Sequence, residues 1–88
     1  MTSDDAKTVL RHPEKVLVLT ALSYVNLSDI ELKVLILRYL RGHTQEQVAE
    51  EIERSKNGVQ KIEYVALDRC AAVWKNLIIV KEMLKTTL

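Results

Sequence analysis

The stretch that decides the fold is Thr44-Gln-Glu-Gln-Val-Ala-Glu-Glu-Ile52, then Glu53, Arg54 and Ser55, then Lys56-Asn-Gly-Val-Gln-Lys-Ile62. Thr44 and Gln47 stand three residues apart ahead of an apolar run. That spacing makes a capping box, in which each side chain satisfies a free backbone N–H at a helix start. Val48, Ala49 and Ile52 then mark a short helix of about two and a half turns. Ser55 opens a second helix, on which Val59 and Ile62 continue the apolar spacing. Counted from Gln45, apolar residues fall at positions four, eight, fifteen and eighteen, with a small residue at five. Two helices that cross steeply need apolar inner faces and a small side chain at the closest approach. The spacing therefore predicts a helix-turn-helix.

Working outward, Asn26, Leu27 and Ser28 break the chain, and Ser28 with Glu31 forms a second capping box. Ile30, Val34, Leu35, Leu37 and Leu40 line one helical face, Arg38 and Arg41 suit the negative end of that helix, and Gly42 stops it. Further upstream, Pro13 predicts a helix opening at Glu14, with Lys15 to Val25 apolar nearly all round. Residues 1 to 12 are polar, with Val9 and Leu10 as anchors. Downstream, Ala66, Leu67 and Cys70 continue the stripe, and Val73, Trp74, Leu77, Ile78, Val80, Met83 and Leu84 broaden it. No Gly or Pro separates these two sets, so periodicity leaves open one long helix or two. The expectation is a single all-α domain over residues 1–88 with four to five helices: a helix-turn-helix core over 28–70 and a C-terminal helix over 71–86.

Composition narrows the function. Leu, Ile and Val number 29 among 88 residues, well above the roughly 20% of a disordered chain. A net charge of +1 is too small for binding nucleic acid by bulk charge, though a local basic face remains open. One Cys leaves no intrachain disulfide, and Cys70 on the inner stripe reads as a small buried hydrophobe. His12 and His43 lie far apart, with no carboxylate or thiol at ligand spacing, so no metal, cofactor or catalytic constellation is expected and the protein does not read as an enzyme. Met1 to Asp5 carry two acids and no base, unlike a signal peptide. The longest apolar stretch, Val16 to Leu27, falls short of the about 20 residues of a membrane span. A cytoplasmic protein with no membrane partner is expected.

The runs Val34-Leu-Ile-Leu-Arg-Tyr-Leu-Arg-Gly42, Thr44 to Ile52 and Val59-Gln-Lys-Ile-Glu-Tyr-Val-Ala-Leu67 together resemble region 4 of the sigma-70 family of bacterial RNA polymerase sigma factors. The resemblance covers about residues 27 to 70, without a gap. In place of the family's usual Gly and apolar residue in the turn, this chain has Glu53 and Arg54, so Glu53 must accept a left-handed conformation or the turn must differ in shape. The resemblance implies that Lys56, Asn57, Gln60 and Lys61 face the DNA major groove. Beside them, the Tyr64 hydroxyl is expected to reach a phosphate, and Arg38, Arg41 and Arg54 to hold phosphates. The residue chemistry agrees: Asn and Gln pair with adenine, and Lys reaches guanine acceptors or phosphate. Residues 54 to 61 contain no acid, whereas the preceding stretch holds Glu46, Glu50, Glu51 and Glu53, of which Glu50, Glu51 and Glu53 read as a solvated face.

The function implied is sequence-specific binding of double-stranded DNA by a transcriptional regulator. The alternative is a protein-interaction module docking on RNA polymerase or another regulator. A DNA-recognition subunit of a phage packaging machine is a third reading. Because Lys15–Val25 and Val73–Leu84 are more apolar than a three-helix core needs, a homodimer is expected.

Overall fold

Ser28, Thr44 and Ser55 each begin a helix, as their spacing predicts. The computed structural model of the chain describes residues 1–86. It contains helices α1 (Ser3–Leu10), α2 (Lys15–Ser23), α3 (Asp29–Leu35, continued by a wider π-helical turn over Ile36–Leu40), α4 (Gln45–Glu51), α5 (Lys56–Trp74) and α6 (Ile78–Thr86). The described residues are thus all-helical with six helices, not the expected four to five. At Ser28 the hydroxyl accepts the Glu31 N–H while the Glu31 carboxylate accepts the Ser28 N–H at 2.8 Å. Thr44 and Gln47 exchange the same pair of bonds. Gly42 ends the α3 segment with φ of 69°, and the following His43 N–H reaches back to the Leu37 carbonyl at 2.9 Å, closing the helix end in the way glycine permits.

Two boundaries differ from expectation. The extra helix is α1, in residues read as polar. Thr2 and Asp5 form a third capping box, and Ala6, Val9 and Leu10 are fully buried. Helix α2 starts at Lys15 rather than Glu14, because the buried His12 accepts the Glu14 N–H on Nδ1 at 3.0 Å and holds Glu14 extended outside the helix. At the other end α5 runs unbroken to Trp74, so residues 71–74 belong to it and the last helix is the separate α6.

The break at Lys75–Leu77 contains neither Gly nor Pro, only Asn76 just past the helix cap. It lets α6 fold back on α1 and α2, which buries Val80 and Met83 beside Trp74, whose indole N–H donates to the Ala21 carbonyl at 2.8 Å. These residues join Val18, Leu22, Leu35, Leu67 and Cys70 in one apolar cluster. Burial pushes the Cys70 thiol up to about 12, with help from the Glu31 charge, so at neutral pH it stays a protonated packing group. Most of the apolar surface that suggested a dimer is therefore covered within one chain. Val16, Leu19, Tyr24 and Ile78 remain exposed. Among the described residues no helix is long and apolar enough to cross a membrane.

A second cluster, Val34, Leu37, Val48, Ala49 and Val59 with Ile52 and Ile62 against it, sits under the helix-turn-helix. All five anchors of the sequence pattern meet there. Ala49 is 8% exposed at this contact, so Ala49→Leu is expected to cost roughly 1–3 kcal/mol by overpacking, read as a lower urea midpoint at unchanged slope.

Candidate nucleic-acid interface

The turn between α4 and α5 sets how α5 is presented. Glu53 adopts φ of 57°, the left-handed one of the two turn shapes left open for it, at a cost of roughly 1–2 kcal/mol for a side-chain-bearing residue. Arg54 N–H then reaches the Ala49 carbonyl at 2.9 Å. Ser55 caps α5 by accepting the Gly58 N–H at 3.0 Å. With the helix anchored inward by Val59, Ile62 and Glu63, the residues Lys56, Asn57, Gln60, Lys61 and Tyr64 all stand on the exposed side. Asn57, Gln60, Lys61 and Tyr64 line one open concavity of about 620 Å³, together with Val65. Arg54 is exposed just before the helix. Val65, exposed on α5, joins this face without having been singled out by sequence. It offers an apolar surface of the kind that meets a thymine methyl.

Two of these side chains are held from below by the first turn of α4. Lys56 Nζ lies 2.9 Å from a Glu46 carboxylate oxygen, with both groups half exposed or more. Gln60 Nε2 donates to Gln45 Oε1 at 3.1 Å. The Glu46 carboxyl is held below the usual carboxylate range, first by the hydrogen bond from Lys56, then by its own helix-start N–H and the Lys56 charge. The carboxylate is thus charged at neutral pH, and its attraction to Lys56 fades as pH falls through that lowered range. The fold places Glu46 against Lys56, an exposed cation at the start of α5, so an anion approaching Lys56 would compete with this carboxylate. Glu46→Gln is accordingly expected to tighten DNA binding about two- to fivefold at low salt, an advantage that vanishes at high salt, as filter binding or fluorescence anisotropy would record.

Behind the face lies a buried polar network. Arg38 Nε donates to Glu63 Oε1 at 2.8 Å, Arg38 Nη1 donates to the His43 carbonyl at 2.9 Å, and the Tyr39 hydroxyl donates to Glu63 Oε2 at 3.1 Å. The guanidinium groups of Arg11 and Arg38 stack over the Tyr39 ring at 5.4 and 5.6 Å. Burial, and then the negative Glu63, push the Tyr39 hydroxyl up to about 12, so it remains a donor. Two donor groups of Arg38 are therefore committed to the interior, where they fix the α3 segment and the loop before α4 against α5. Arg41 is exposed but opens on a different concavity of about 330 Å³, lined by Asp29, Leu32, Lys33, Ile36, Leu37 and Glu51. The fold thus gathers Asn57, Gln60, Lys61 and Tyr64 in one place and puts Lys56 and Arg54 beside them. It sets Arg38 and Arg41 apart from that face.

A short helix, a tight turn and a longer helix with an exposed, acid-free polar start define a helix-turn-helix domain with a presented recognition helix. The chain belongs to the sigma-70 region 4 family, a family of DNA-binding helix-turn-helix domains, whose sequence model matches residues 25–72, more than half of the chain. No curated protein and no solved structure matches it.

Proposed function

We propose that this protein binds double-stranded DNA sequence-specifically and regulates transcription in the cytoplasm. The observation that carries the reading is the start of α5: Arg54, Lys56, Asn57, Gln60 and Lys61 are exposed together with no acid among residues 54–61, on the helix that a helix-turn-helix lays in the major groove. Asn57 and Gln60 supply adenine-reading amides, and Lys61, Lys56 and Arg54 supply cations for phosphate or guanine. Selection of bound duplexes from a random pool is expected to return a short consensus. A pool that stays random would defeat the sequence-specific reading.

A second reading, docking on RNA polymerase, is favoured by the concavity between α3 and α4. Its floor of Leu32, Ile36 and Leu37 is flanked by charges of both signs from Asp29, Lys33, Arg41 and Glu51, the composition of an apolar patch with a polar rim. Binding to purified polymerase that survives without DNA would support it. Self-association through α2 and α6 is supported by Val16 and Ile78, which stay 73% and 76% exposed. Light scattering at micromolar concentration should then give twice the chain mass.

A further inference from the structure

We propose that Gln45, the first residue of α4, is a positioning residue that sets the amide of Gln60 for reading adenine; this rests on the DNA-binding reading above. The two residues are fifteen apart in the chain and on different helices, yet Gln60 Nε2 donates to Gln45 Oε1 at 3.1 Å. A primary amide carries two N–H donors and one carbonyl acceptor. Gln45 takes one N–H of Gln60. What remains is one N–H and Oε1, and those are the two groups that adenine requires in the major groove: the N–H for N7, and the oxygen for the N6 amino group.

The geometry also selects one orientation of an otherwise two-fold side chain. The last torsion of a glutamine is broad, so a free Gln60 would exchange its nitrogen and oxygen ends. With its nitrogen end tied to α4, the exchange is suppressed and the amide meets the base already turned. Gln45 is itself well placed for this task, because the Thr44–Gln47 capping box pins the helix start it stands on. Gln60 meanwhile lies in the concavity with Asn57, Lys61 and Tyr64, so the tether acts on a side chain that faces the groove.

The test is selection from a random duplex pool with the wild type and five variants, backed by competition binding of duplexes differing at one base pair. Gln60→Ala identifies the base pair that Gln60 reads. Gln45→Ala is expected to lower the preference for adenine at that same base pair by roughly two- to tenfold, the worth of one prearranged side chain, with the other positions of the consensus unchanged. Gln45→Met, which keeps length and helix propensity without an amide acceptor, should do the same and stands in if the alanine variant folds poorly. Gln45→Glu keeps an acceptor oxygen and should retain the adenine preference while its added charge lowers overall affinity. Combining Gln45→Ala with Gln60→Ala should add nothing at that base pair. If the Gln60 position loses its preference only in Gln60→Ala and not in Gln45→Ala or Gln45→Met, the proposal falls while DNA reading stands. If all positions weaken equally, Gln45 is merely structural and the proposal falls as well. A wild type that selects no sequence overturns both together.

Discussion

Glu63→Ala is expected to cost about 3–5 kcal/mol of folding stability, the loss typical of removing one partner of a buried ion pair. The Glu63 side chain is 8% exposed and holds Arg38 at 2.8 Å and the Tyr39 hydroxyl at 3.1 Å. Deleting it leaves a guanidinium and a hydroxyl facing inward without their acceptor, and reopens the joint between the α3 segment and the recognition helix. A domain of this size has about 5–15 kcal/mol in total, so the variant should melt about 12 °C or more below the wild type. Glu63→Gln keeps an acceptor but loses the charge, and should fall between the two. Replacing Arg38 and Glu63 together by leucine should recover much of the loss, because no unpaired charge is then buried. A Glu63→Ala variant that unfolds at the wild-type urea midpoint would mean that the pair is not closed in solution.

The second large effect is on DNA affinity. Arg54, Lys56 and Lys61 are exposed at the start of α5, and Arg41 is exposed beside the α3–α4 concavity. If each meets one phosphate, the logarithmic salt slope is about −3.6, and affinity falls about 100-fold between roughly 50 and 200 mM salt. Lys56→Ala should lower affinity for every duplex and flatten the slope by about 0.9. Gln60→Ala should leave the slope alone and relax base preference by about 1–3 kcal/mol. Binding that shows no salt dependence for any duplex at low ionic strength would exclude the DNA reading altogether. A slope shallower by one contact that Arg41→Ala leaves unchanged would show that Arg41 belongs to the concavity it lines rather than to the DNA face.

Much of the fold could be read directly from residues three or four apart. The Ser28–Glu31 and Thr44–Gln47 boxes, the Ser55 cap and the Gly42 stop form as their spacing demands, because the groups involved are neighbours on a single turn and need no other part of the chain. The burial of Val48, Ala49 and Val59 follows equally from helical period, and so does the exposure of Lys56, Asn57, Gln60 and Lys61 on the opposite side of the same helix. At Glu53 the resemblance left two outcomes open, a left-handed residue or a differently shaped turn, and the fold takes the first.

Features that depend on distant partners were hidden. Arg38 looked like a phosphate ligand because a C-terminal Arg is free in an isolated helix. Its commitment to Glu63 spans 25 residues. The Glu46–Lys56 pair joins two successive helices, and the Gln45–Gln60 bond spans fifteen residues. The end of α5 after Trp74 has no Gly or Pro to announce it, only Asn76. It is set by the gain from folding α6 back over α1 and α2, with Trp74 bonded to Ala21 across 53 residues. Helix α1, short and polar on one side, is held chiefly by burying Ala6, Val9 and Leu10, since so few residues make a marginal helix alone. Local hydrogen bonds and period act within a turn and are legible one helix at a time. Side-chain pairing between helices exists only after packing has brought the helices together, and that pairing shapes the exposed start of α5.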